Sequence, residues 1–175
     1  MMLSSRVVAA LSLAAVLMMM LGELRLSRRH ERELHQRGAR EPPDDVYATM
    51  QWAYPAAFVV MAVEGAIAGR PPGFFALAGL CVLIAAKALK FWAMATLGVR
   101  WTFRVMVLPG VPLVSRGPYA LVRHPNYAAV VGELAGMMLL VGARLTGLIV
   151  IALFAVLLRR RIRAEDQALR HPTCS

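Results

Sequence analysis

The residues best equipped for chemistry are concentrated in Gly117 to Tyr127, which reads GPYALVRHPNY. Two tyrosine hydroxyls, an arginine and a histidine stand within this short stretch, with a proline near each end. Pro118 and Pro125 lack an N–H and fix φ, so they mark a turn and then the first turn of a helix. Tyr119, Arg123, His124 and Tyr127 supply side-chain donors. The exposed N–H groups and dipole of the helix that Pro125 opens form an anion site. This set can hold a small polar molecule bearing a carboxylate. The spacing fits an interfacial loop equally well, with tyrosines as a belt and arginine as a topology signal.

The elements that must position this stretch are apolar. Of 175 residues, 59% are hydrophobic, well above the share in a soluble domain of about half. The expected class is an all-α integral membrane protein of one domain. Five spans are expected, at about 4–22, 47–68, 74–97, 125–141 and 145–162, with the last two forming a helical hairpin. The last two are short for a ~30 Å core, which takes about 20 residues, and borrow length from their polar ends. Residues 24–40 interleave Glu and Arg and read as a solvated helix continuing to Gly38, broken by Pro42 and Pro43. Gly69 to Gly73 reads as a tight turn. Residues 98–124 form the one sizeable polar insert, and 159–169 a basic C-terminal helix.

Net charge is +10. Fifteen arginines fall after span one, in the insert or after span five, against Arg6, Arg70 and Arg144 on the other side. This bias places the N-terminus outside and the C-terminus in the cytoplasm. Span one then reads as an uncleaved signal anchor. The insert and the C-terminal helix share the cytoplasmic face of an inner, multi-pass membrane location. The charge is explained by topology, so nucleic acid is not an expected partner. Cys81 and Cys174 alone give neither a disulfide framework nor a metal site. Within the spans, Lys87 and Glu133 lie at matching depth and are expected to pair, as buried charges in lipid must. Gly132-x3-Gly136 invites close helix approach. Glu64 is expected near the outer interface.

Two pieces of this face carry a resemblance. Gly117-Pro118-Tyr119-x3-Arg123-His124-Pro125-Asn126-Tyr127, followed by a hairpin and then Arg161-x3-Glu165-Asp166-x2-Leu169, resembles the isoprenylcysteine carboxyl methyltransferase family. The likeness covers Trp101 to Leu169. Trp101 to Val105 with Leu108-Pro109-Gly110 is similar to bacterial members that act on phenolic or pyrone lipids. The resemblance implies a membrane enzyme using S-adenosylmethionine. It implies cofactor contacts from Leu113, Val114, Tyr119, His124, Pro125, Asn126, Tyr127, Glu165 and, less closely matched, Arg104. Arg161 would face the substrate's acidic group. Asp166 stands where the family has a second glutamate. The sequence ends at Ser175, where relatives commonly continue with an aromatic-rich tail that covers the cofactor; the expectation is either that the fold needs no lid or that cofactor affinity is reduced.

The residue chemistry agrees. A carboxylate such as Glu165 can accept from both hydroxyls of a ribose, and a guanidinium can orient an acidic oxygen nucleophile. No GxGxxG and no strand–helix alternation are present, so a soluble dinucleotide-type site is excluded. The expected activity is O-methylation of a lipid-like acceptor drawn from the bilayer, a carboxylate of isoprenylcysteine or a hydroxyl of a phenolic or pyrone lipid, without a metal. The alternatives are a phospholipid N-methyltransferase, which a cation at position 161 disfavours, a membrane reductase, and a non-catalytic scaffold.

Overall fold

A computed structural model describes residues 4–41, 46–69 and 73–170, with side chains in the last helix described through Asp166. Pro42-Pro43, Arg70 to Pro72, the Leu169 side chain and Cys174 lie outside the described residues. The described chain is helical, with no strand: α1 Ser5–Gln36, α2 Tyr47–Ala68, α3 Phe74–Leu97, α4 Pro125–Val141 and α5 Arg144–Arg170. One isolated antiparallel bridge joins Arg40 to Val107. By length and composition two helices could cross a membrane, Ser5–Gln36 and Phe74–Arg100, while Pro125–Val141 is apolar but shorter.

Each helix has a local reason to begin or end. The Ser4 hydroxyl accepts from Val7 N–H and caps α1. α1 runs unbroken through its charged half to Gln36, where Gly38 takes φ 81°. Pro125 occupies the first turn of α4, where its missing N–H costs nothing. The turn after α4 closes at Gly142, φ 73°. The Glu64 carboxylate from α2 accepts from the backbone N–H of Leu145 and Thr146 at 3.1 and 2.7 Å, and from the Thr146 hydroxyl. Glu64 therefore caps α5, a task beyond its expected interfacial place.

α3 and α4 form the most intimate pair. A Cβ built on Gly136 would meet Leu83 N at 2.7 Å, and one on Gly79 would meet Leu140 N at 2.3 Å. Only glycine permits this approach of backbones. The apolar core gathers Phe58, Met61, Leu134, Met137 and Phe154 from α2, α4 and α5.

Through this core runs a closed ring of charge. Lys87 Nζ lies 3.0 Å from Glu23 and 2.7 Å from Glu133, and Lys90 Nζ lies 2.7 Å from Glu23 and 3.2 Å from Glu133. Tyr54 donates to Glu133 at 2.8 Å. The expected Lys87–Glu133 pair is present, and it is half of a neutral quartet that also enlists Lys90 and Glu23. The quartet ties α1, α3 and α4 together at one depth.

The ends of the helices sort into two groups. Ser5, Gly73, Phe74, Gly142 and Arg144 share a cavity at one end. At the other end lie the polar half of α1, the start of α2, residues 98–124 and the end of α5.

Candidate functional site

The 98–124 insert folds over the second end as irregular backbone with two short 3-10 turns, Gly98–Arg100 and Gly117–Ala120. It is held by contacts at both flanks. Arg100 donates to the Pro112 carbonyl at 2.7 Å. His30 Nδ1 donates to the Trp101 carbonyl at 2.8 Å, and the Phe103 N–H donates to Ser27 Oγ at 2.7 Å. Trp101 is buried, packs edge-on to Phe103, and donates from its indole to Asn126 Oδ1 at 3.4 Å. The polar half of α1 is therefore a docking surface for the insert. The alternation of Glu and Arg from 24 to 40 suggests a solvated helix, and the inward-facing Ser27 and His30 gave no periodic signal against it.

The second residue group meets the first here. Tyr127 donates to Glu165 Oε2 at 2.6 Å. His124 stacks on Tyr127 with centroids 5.4 Å apart, and its ring nitrogens stand 3.8 Å from Glu165 and 3.8 Å from Asp166. His124 precedes Pro125, so the start of α4 fixes both rings. These groups border a cleft of about 110 Å³ lined by Trp101, Thr102, Tyr119, His124, Tyr127 and Glu165. Burial, and then the Glu165 charge, push the Tyr119 phenol up to about 12, so it is a neutral donor at ordinary pH.

Thr102, Asn126 and Tyr127 also line a second, larger chamber of about 340 Å³. Its walls come from α1 (Leu17, Met20, Leu21, Leu24) and α2 (Met50, Tyr54, Pro55), with Lys90, Phe103 and Arg161 around them. Arg161 is 4% exposed and donates from Nη2 to the Phe103 carbonyl. Tyr127 thus stands at the boundary of both chambers, bonded to Glu165 on the side of the cleft and lining the chamber that Arg161 also lines. The preceding Arg159 and Arg160 are exposed.

The sequence-derived candidates divide accordingly. Tyr119, His124, Pro125, Asn126, Tyr127 and Glu165 line the small cleft, and Arg161 the large chamber. Leu113 is 69% exposed and neither it nor Val114 lines either space. Arg104 lines neither space: it pairs with Glu41 at 2.7 Å, sits 3.8 Å from Glu31, and covers the ring of Tyr47, a wall residue of the large chamber, at 5.0 Å. The Glu41 hydrogen bond raises the Arg104 pKa further. Trp101, Thr102 and Phe103 line the two spaces without having been singled out individually. Their sequence signal is their place in the polar insert and in the Trp101 to Val105 stretch that carries the resemblance. Among the described residues no three His, Cys, Asp or Glu side chains gather as a metal ion requires.

Residues 77–171 match the model of the isoprenylcysteine carboxyl methyltransferase (ICMT) family, which takes in α4, α5 and the insert. The chain is 32% identical over 160 residues to YpbQ of Bacillus subtilis (strain 168), an uncharacterized protein, covering 91% of this chain and 95% of that one. It is 27% identical over 162 residues to an uncharacterized protein of Haemophilus influenzae, covering 92% and 94%. No solved structure matches significantly. On the extent of the family match and of the shared identity, this chain belongs to the isoprenylcysteine carboxyl methyltransferase family of membrane-associated methyltransferases.

Proposed function

We propose that the protein is an S-adenosylmethionine-dependent O-methyltransferase acting on a lipid-like acceptor held within the membrane. In this reading the whole chain is one membrane domain of five spans, with the insert and the end of α5 facing the cytoplasm. The arginine bias supports that orientation. The observation that carries the activity is the pair of adjoining spaces. One is polar and bordered by Glu165, His124 and Tyr119; the other is largely apolar and holds Arg161, and Tyr127 lies between them.

The donor set suits the cofactor. Glu165 and Asp166 bring negative charge beside a site for a sulfonium. Glu165 can accept from a ribose diol, and the Tyr119 phenol and the N–H groups opening α4 can donate to a carboxylate. When bound, S-adenosylmethionine supplies an activated methyl group. The chain's residues have little covalent work to do. Their task is alignment and exclusion of water, which can contribute on the order of 7–11 kcal/mol.

Arg161, buried at the wall of the large chamber, would orient an acidic oxygen of the acceptor and favour its ionised form. The apolar lining from α1 and α2 would take the acceptor's hydrocarbon portion. A hydroxyl on a phenolic or pyrone lipid and the carboxylate of an isoprenylcysteine both satisfy this arrangement, and we favour the hydroxyl lipid. A cation at this wall is unsuited to the amine of a phospholipid N-methyltransferase. The test is methyl incorporation from labelled cofactor by the purified protein in nanodiscs. Label in a long-chain alkylphenol supports the reading. Label in phosphatidylethanolamine alone, or in neither the alkylphenol nor N-acetyl-S-farnesylcysteine, overturns it.

A further inference from the structure

Ser27 lies on the polar half of α1, before the residues matched by the family model. It is wholly buried. A buried serine in a helix usually turns its hydroxyl back to its own backbone. Ser27 instead serves another segment: its Oγ accepts the Phe103 N–H at 2.7 Å and donates to Glu31 Oε1 at 2.6 Å. The carbonyl of that same Phe103 accepts from Arg161. One residue of irregular backbone is thus held at its N–H by α1 and in turn holds the guanidinium of α5 at its C=O. The adjoining Trp101 carbonyl is tied to His30 of α1 as well.

We propose that Ser27 is a positioning residue for Arg161, acting through the Phe103 peptide. An arginine side chain has many rotamers, and its value to an acceptor oxygen depends on where its fork is fixed. Backbone outside a helix or strand has no ladder of its own to fix it. Ser27, itself oriented by Glu31, supplies that fixed point. The segment 24–40 then belongs to the active site's framework and does more than solubilise an edge. The proposal rests on the reading of Arg161 as the group that faces the acceptor.

The test uses the full-length protein in nanodiscs as wild type, Ser27→Ala, Ser27→Thr, Arg161→Lys and the Ser27→Ala/Arg161→Lys double variant. Methyl transfer to a long-chain alkylphenol and calorimetric affinity for S-adenosylhomocysteine are both read. Misplacing a reacting group by about 1 Å can cost about a hundredfold. Ser27→Ala is therefore expected to lower kcat by about ten- to a hundredfold, with product affinity within about twofold of wild type. Ser27→Thr, which keeps the hydroxyl, should recover most of the loss. Because both changes strike one link, the double variant should be no slower than Arg161→Lys alone.

Losses that multiply in the double variant would overturn the proposal. So would full turnover in Ser27→Ala, or a fall in product affinity in step with turnover. If Ser27→Ala does not fold, Glu31→Gln carries the test, with up to about a tenfold loss of kcat expected at unchanged product affinity; wild-type turnover there overturns it. The underlying reading fails separately, if Arg161→Lys turns over like wild type. If the alkylphenol is not methylated although S-adenosylhomocysteine binds, the hydroxyl-acceptor reading fails, and the same variants are compared on N-acetyl-S-farnesylcysteine.

Discussion

Replacing Glu133 by glutamine should destabilise the protein severely. Glu133 is completely buried and accepts contacts from Lys87 at 2.7 Å, Lys90 at 3.2 Å and Tyr54 at 2.8 Å. Two of the ring's four ion contacts end on it. Without its charge, two buried ammonium groups face the single carboxylate of Glu23. Breaking a buried pair by removing one partner costs about 3–5 kcal/mol, because the remaining charge is left uncompensated. A chain of this size loses about 2–4 °C per kcal/mol, so the midpoint should fall by about 6–20 °C. The assay is thermal unfolding in nanodiscs followed by far-ultraviolet circular dichroism. Glu23→Gln should behave alike, since α1 holds the ring's other carboxylate. Replacing all four charged residues together by leucine and methionine should be neutral or stabilising by about 1–4 kcal/mol. A midpoint for Glu133→Gln within a degree or two of wild type would refute the reasoning, since it would mean that the ring carries no net charge compensation.

Glu64→Ala removes the acceptor for Leu145 and Thr146 and should cost about 0.5–2 kcal/mol as a lost helix cap, read as a lower unfolding midpoint. Gly136→Ala drives a methyl against the Leu83 backbone and should cost about 1–3 kcal/mol, whereas Gly22→Ala, with nothing within 4 Å, should be neutral or better. Tyr119 should titrate near 12 instead of 10.0, seen as a late phenolate absorbance step missing in Tyr119→Phe. The folded state then holds this proton longer than the unfolded chain. Its stabilising contribution is full below pH 10 and disappears as pH rises towards 12, and the loss over that window should be smaller in Tyr119→Phe.

The apolar runs reveal most of the helices because their ends carry local punctuation. α2, α3 and α4 begin and end at the residues expected, where Gly69, Gly73, Gly98, Pro125 and Gly142 stop or start a helix. Span five and the basic C-terminal helix are one continuous helix, since nothing between Leu158 and Arg161 interrupts helical propensity. The encounter of His124 and Tyr127 with Glu165 was legible only through the family motif. No periodicity says that a loop and a distant helix end will touch. Lys87–Glu133 could be inferred from depth, but depth does not reveal azimuth. Glu23 could not be recruited to the ring without knowing which way α1 faces, and Lys90 lies one turn from Lys87 on the same side of α3. Buried Ser27 and half-buried His30 leave no sequence signal for a similar reason, because a charged helix that docks on irregular backbone shows no apolar stripe. Arg104 stands in the motif region, and its partners Glu41 and Glu31 come from a part of the chain that the motif does not include.

The central claim is that one small molecule sits between the start of α4 and the end of α5. Calorimetric titration of the folded protein with S-adenosylhomocysteine tests it most directly. Saturable binding is expected, which Glu165→Ala weakens markedly, while Arg161→Ala leaves affinity nearly intact and reduces turnover. No binding by the wild-type protein, or equal binding by Glu165→Ala, would contradict it.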